Sequence, residues 1–215
     1  MSLLITFLIS CSFFLYFIFL IFQKFYLHSN VEVYYSKTKK NKKIVDSISL
    51  VKKGYTPTIW AINSLLHAYV TNTYRKPKLP KYDQRITLYN SYDQRIEIDC
   101  LNPFKHDKDT PIVVIIPGIG GHSEKDYIKS FAPHVAEKYI TYIYNHPGNG
   151  NTKLNTHEVH IAGDVNDLKL VFDFIKKEHP NSKMISVGIS LGGNLLALYL
   201  GSFGKNTPLL AGNCF

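Results

Sequence analysis

The sequence predicts an α/β fold, a mostly parallel sheet flanked by helices, behind a single N-terminal apolar helix. Three observations predict it. Pro111 to Ile116, PIVVII, is a continuous apolar run of the kind buried on both faces of a parallel sheet. Met184 to Tyr199, MISVGISLGGNLLALY, passes from β-branched residues through a glycine-rich turn into an apolar helix. Around these, strand-like and helix-like segments alternate, which implies right-handed crossovers between parallel strands.

Taken in order, Met1 to Gln23 carries no charge and, at about 1.5 Å per residue, is long enough to cross a bilayer core. It lacks a positive n-region and a small-residue cleavage site, so an anchor is expected rather than a cleaved signal peptide. The net charge is +9, and Lys24, Lys37, Lys39, Lys40, Lys42 and Lys43 crowd the segment after the apolar run. That placement suits a bilayer as partner; no nucleic acid is expected, because no RNA- or DNA-binding module follows. Val31 to Lys53 is expected to be a basic juxtamembrane linker, no more than a tether near anionic head groups. In YTPTIW, Tyr55 to Trp60, Pro57 restricts the chain and the only Trp is expected to pack nearby. Leu65, Leu66, Tyr69 and Val70 suggest a short helix, and Tyr74 to Lys81 an extended connector. The domain plan is therefore an anchor (1–23), a linker and extension (24–80), and an α/β domain from Lys81 to the last residue.

Within that domain YDQRI occurs twice, at Tyr82 to Ile86 and Tyr92 to Ile96. It predicts an antiparallel hairpin of Arg85 to Tyr89 with Arg95 to Leu101. After PIVVII comes Pro117-Gly118-Ile119-Gly120-Gly121, a glycine-rich turn at the edge where open α/β sheets bind ligands. Its N–H groups either complete an oxyanion hole, a role assigned to Ile119, or merely belong to a loop. Ser123 to Lys138 reads as a helix capped by Ser123, and Tyr139 to Tyr144 as a strand. Val159 to Glu178 has helical apolar spacing and is stopped by Pro180. Pro208 to Phe215 resembles the opening of one more strand.

The chemistry concentrates at Gly188-Ile-Ser190-Leu-Gly192. A serine that attacks an ester must project its Oγ from a sharp strand-to-helix turn. Gly188 and Gly192 leave space where side chains would collide, and Gly193 is expected to add room for substrate. The Leu191 N–H, in the first helical turn, points where an oxyanion would form. Ser190 is thus the candidate nucleophile. The alternative, a nucleotide-binding turn, needs a G-x-G-x-x-G order that is not found here.

Other candidates are weaker. His146 precedes Ser190, the wrong order for a general base in such a fold, so a loop hydrogen-bonding role is expected. His157, His160 and Asp164 have ligand-like spacing without a further ligand, and no metal is expected. Cys11, Cys100 and Cys214 are too scattered for a disulfide framework or zinc site. No cofactor is called for.

Several collinear stretches, YTPTIW, PGIGGHSEKDYIKSF, the NH-x-G turn at Asn145 to Gly148, and VGISLGGNLLALYLG, resemble membrane-anchored α/β-hydrolase-domain proteins of the monoacylglycerol lipase and phospholipase branch. The resemblance runs from about Tyr55 to Gly201. It implies the α/β-hydrolase fold, Ser190 as nucleophile, and an oxyanion hole at Gly118 and Ile119. Where many members carry an arginine, this chain has Pro147. The acid and histidine that the family places after the serine have no counterpart, since no Asp, Glu or His follows Ser190. The expectation is therefore a C-terminally incomplete hydrolase domain, inactive as it stands.

The leading function is a serine ester hydrolase acting on lipid esters such as acylglycerols through an acyl-enzyme. The alternatives are acyl transfer to an alcohol on the same fold, and a non-catalytic binding module. A single-pass membrane location is expected, with orientation open. The lysine excess after the apolar run and the lack of any Asn-x-Ser/Thr acceptor favour a cytoplasmic domain, whereas the family resemblance implies the opposite side.

Overall fold

The computed structural model describes residues 2–58, 63–74, 76–102, 107, 109–157 and 163–215. Two compact units, Met1–Arg75 and Lys76–Phe215, divide the chain.

In the first unit α1 spans Ser2–Tyr26, and its Leu4–Phe25 portion is long and apolar enough to cross a membrane, with none of it buried in the protein. The segment expected to be only a tether is folded in part. It contains α2 (Lys39–Ser47) and α3 (Ser49–Lys53). Thr38 starts α2, its Oγ1 accepting the Asn41 N–H at 3.1 Å. The predicted short helix is α4 (Ser64–Tyr74). Trp60 lies outside the described residues.

The second unit is built on six strands: β1 (Gln84–Tyr89), β2 (Arg95–Leu101), β3 (Ile112–Ile116), β4 (Ile140–Asn145), β5 (Met184–Gly188) and β6 (Leu209–Cys214). Their order in the sheet is β1-β2-β4-β3-β5-β6. The predicted hairpin forms with Ile86 opposite Ile98 and Leu88 opposite Ile96, and β2 is also antiparallel to β4. The remaining pairs, β4 with β3, β3 with β5 and β5 with β6, are parallel, joined through helices α5 (Asp126–Ala136), α6 (Asn166–Glu178) and α7 (Leu191–Phe203). Both faces of the sheet are covered, which is why all five residues of β3 are buried. One face packs Ile112, Val114 and Ile116 against Leu168, Phe172 and Ile175 of α6 and Leu195, Leu196 and Tyr199 of α7. The other packs Val113, Ile115 and Ile143 against Ile128, Ala132 and Ala136 of α5.

Two helix boundaries differ from expectation. Helix α5 starts at Asp126 and not at Ser123, which is buried and caps nothing. The Ser123 N–H donates to Asn145 Oδ1 at 2.7 Å and its carbonyl accepts from Tyr82 Oη at 2.6 Å, so the residue is tied to the sheet. Helix α6 starts at Asn166 and not at Val159. Residues 158–162 lie outside the described residues, and Asp164 Oδ1 accepts the Asn166 N–H at 2.9 Å, an alternative to helix that ends at that residue.

Candidate active site

The site begins where β5 ends. Ser190 stands at φ 55, ψ −117 between β5 and α7, one of three non-glycine residues with positive φ among those described. Such a conformation costs on the order of 1–3 kcal/mol and persists only where its surroundings enforce it. Here the backbone on both sides is clamped: the Ser190 N–H donates to Phe215 O at 2.8 Å, and the Ile189 N–H to Ile116 O at 3.0 Å. The serine is exposed, while Gly188, Gly192 and Gly193 around it are buried.

Close backbone approach explains these glycines. A Cβ on Gly188 would lie 2.4 Å from Gly192 O, and one on Gly192 only 2.1 Å from Ile116 O and 2.5 Å from Pro117 O. A Cβ on Gly193 would also meet backbone, 3.1 Å from Phe215 O and 3.2 Å from Gly188 O, so its smallness serves strand packing where room for substrate was expected.

The turn after β3 meets the elbow directly. A Cβ on Gly118 would sit 3.3 Å from Ser190 Cβ and 3.8 Å from its Oγ, so Gly118 backbone forms the wall beside the serine. Ile119 follows it with its side chain in solvent. Gly121 permits the return, since its N–H donates to Gly118 O at 2.8 Å and a Cβ there would meet Pro117 Cβ at 2.3 Å. Among the described residues, neither the Ile119 nor the Leu191 N–H has an acceptor in the protein. Leu191 is the first residue of α7, where the helix leaves N–H groups free and partial positive charge collects.

Two side chains hold this turn, His146, foreseen in the sequence, and Tyr127, which was not. Nε2–H of buried His146 donates to Pro117 O at 2.9 Å, and the His146 N–H reaches Gly121 O at 3.3 Å. The imidazole also stands edge-on to Tyr144 with ring centroids 5.0 Å apart. This is the loop role expected for His146. From the helix side the Gly118 N–H donates to Tyr127 Oη at 3.0 Å.

Beneath the turn lies a polar chain, buried except at Arg85, on the α5 face of the sheet. Arg85 grips Asp99 through Nε (2.7 Å) and Nη2 (2.8 Å), Asn145 Nδ2 donates to the same carboxylate at 2.8 Å, and Asn145 Oδ1 takes the Ser123 N–H. Burial opposes the Asp99 charge, yet the hydrogen bonds from Arg85 and Asn145 outweigh it and hold the carboxyl below its ordinary pKa. Glu97, two residues earlier, pairs with Arg85 at 3.3 Å and with Arg95, and accepts Thr152 Oγ1 at 2.9 Å. Burial and the nearby Lys125 hold His122 below its usual pKa. The only signal of this chain in the sequence is a pair of acids alternating with isoleucines in RIEID.

Among the described residues no three His, Cys, Asp or Glu side chains gather, and His160 lies outside them. The three cysteines are free, with the Cys100 thiol pushed up to about 12 by burial.

Residues 111–209 match the family described as alpha/beta hydrolase fold. The chain is 28% identical over 185 residues to phospholipase ABHD3 of Homo sapiens, covering 79% of this chain and 43% of that protein. To monoacylglycerol lipase ABHD2 it is 42% identical over 91 residues in Danio rerio, covering 41% and 21%, and 27% identical over 181 residues in Homo sapiens, covering 81% and 43%. The chain thus spans less than half the length of these curated relatives. An esterase of Pyrococcus furiosus superposes with a TM-score of 0.50 at 12% identity, covering 64% of this chain and 56% of that one. A hypothetical protein of Pseudomonas aeruginosa also gives 0.50, at 20% identity, covering 63% and 43%. With a strained serine between a parallel strand and a helix, and this match across β3 to the start of β6, the chain has the α/β-hydrolase fold and is similar over residues 111–209 to the family of that name.

Proposed function

We propose that this chain carries the nucleophile and oxyanion half of a membrane-anchored serine hydrolase for lipid esters of the acylglycerol type. The observation that carries the reading is Ser190 at φ 55, ψ −117, exposed, beside the Gly118 backbone. Its Oγ attacks the ester carbonyl; the carbonyl oxygen gains charge and is received by the N–H groups of Ile119 and Leu191. The alcohol leaves with a proton, and water then cleaves the acyl-Ser190 ester to regenerate the serine. In this reading a general base takes the Ser190 proton and returns it to the leaving alcohol; no Asp, Glu or His follows Ser190 in these 215 residues. The lipid class is supported by relatives named phospholipase and monoacylglycerol lipase. An apolar α1 that spans the bilayer would hold the site beside such substrates.

The test is product analysis on the whole protein with a monoacylglycerol in water containing an added alcohol. Free fatty acid that disappears in Ser190→Ala supports hydrolysis. Ester of the added alcohol as the main product replaces it with acyl transfer, and turnover unchanged in Ser190→Ala refutes both.

A further inference from the structure

The basic segment after α1 is a closed loop. The chain leaves the last turn of α1 and returns to it: the Ser29 N–H donates to Tyr55 O at 2.8 Å and the Tyr55 N–H to Ser29 O at 2.7 Å. Around this pair, His28 Nδ1 meets Thr56 Oγ1 at 2.7 Å and the Gln23 side-chain amide donates to Pro57 O. Gly54, at φ 70, makes the return possible, because a Cβ there would lie 2.6 Å from the His28 ring and 2.8 Å from Ser29 O. Residues 29–55 are thereby pinned at both ends to the terminus of the apolar helix.

What the loop presents is charge without an internal partner. It holds Lys37, Lys39, Lys40, Lys42, Lys43, Lys52 and Lys53 against only Glu32 and Asp46, and all seven lysines are exposed. Among the described residues none of them enters an ion pair. Lys39, Lys40 and Lys42 occupy the first turn of α2 with no acid there, where the helix dipole disfavours cations. The helix tolerates this arrangement most readily against an external anion. Ile44, Ile48 and Leu50 are exposed among these lysines, which gives the loop apolar side chains to set into an interface.

Position selects the anion. A 25-residue α1 is about 37 Å long, more than the roughly 30 Å hydrocarbon core, so its last turn emerges among head groups. The loop is tied to that turn. We propose that residues 29–55 form an electrostatic clamp on anionic phospholipid head groups of the leaflet from which α1 emerges. It rests on the reading of α1 as a spanning helix and not on the chemistry of Ser190.

The test reconstitutes the full chain in vesicles of phosphatidylcholine, alone or with phosphatidylserine in both leaflets. A brief pulse of a membrane-impermeant amine-acylating reagent is followed by peptide mass spectrometry. Lys177 and Lys205, exposed and later in the chain than α1, serve as references. With phosphatidylserine, acylation of Lys39, Lys40, Lys42 and Lys43 relative to the references falls by about threefold or more, and high salt restores it. In a variant with these four lysines changed to Gln, which keeps helix propensity, Lys52 and Lys53 lose most of their lipid-dependent protection. Equal acylation in both lipids overturns the inference, as does stronger protection by an added oligonucleotide, which would make nucleic acid the partner. Chain released into the supernatant by alkaline carbonate overturns the spanning reading and this inference with it. Chain retained in the pellet with lipid-independent acylation overturns the inference alone.

Discussion

Replacing Gly192 by alanine adds one methyl group at the most crowded point of the elbow. The new Cβ would stand 2.1 Å from Ile116 O, whereas real Cβ atoms essentially never come within 3.0 Å of another heavy atom, so β3 and α7 must part by about 0.9 Å. Neither can yield cheaply. Ile116 O already accepts the Ile189 N–H at 3.0 Å, and Ile116 and Leu196 are both fully buried in the core between the sheet and α7. Overpacking of this kind costs about 1–3 kcal/mol, more where backbone must move, and the helix-propensity gain of alanine returns at most about 1 kcal/mol. With the upper end of that range and the full propensity gain, a net loss of about 2 kcal/mol is expected. The same helix supplies its own control. A methyl group on Gly201 would meet nothing within 4 Å, so Gly201→Ala should stabilise by up to about 1 kcal/mol. Pulse proteolysis across a urea series in mild detergent measures both variants side by side. Gly192→Ala as stable as Gly201→Ala would refute the backbone-contact account of the elbow.

Ser190→Gly should gain stability, because relief of about 1–3 kcal/mol of backbone strain exceeds the roughly 0.5–1 kcal/mol of added chain entropy in the unfolded state. Ser190→Ala keeps its Cβ and the strain, so a glycine variant no more stable than the alanine one in the same urea series counts against a strained nucleophile. Asp99→Asn should cost about 2–3 kcal/mol, less than the loss of a fully buried ion-pair partner because Arg85 keeps a third of its side chain in water. The Asp99 pKa is lower in the native state, so its stabilisation is complete above the unfolded value of about 3.9 and fades as pH falls through the native one. Between pH 6 and pH 3 the parent should therefore lose more stability than Asp99→Asn; equal losses would remove the carboxylate from the account.

The elbow and the parallel core were legible because their constraints are local. PIVVII reads as a doubly buried strand wherever it occurs, and the glycines around Ser190 are dictated by contacts within one strand-turn-helix unit together with the end of β3. What escaped depends on partners distant in the chain. In RIEIDC the acids look like the wet face of a half-exposed strand, yet β2 is an interior strand and Glu97 and Asp99 are both fully covered. Their partner Arg85 sits on the neighbouring strand, and Asn145 comes from 46 residues later. Ser123 has the composition of a cap, but Asn145 and Tyr82 take its backbone groups first. The lysine-rich segment shows its charge in the sequence and hides its closure, which depends on Ser29 and Tyr55 meeting across 26 residues.

The central claim, that Ser190 is an activated nucleophile, is tested most directly by locating a covalent adduct. The whole protein is treated with a fluorophosphonate, digested and sequenced by mass spectrometry. The account predicts one organophosphorus adduct, on Ser190, absent from the unfolded protein and abolished in Ser190→Ala. An adduct on any other serine, or labelling that survives the substitution, would contradict it.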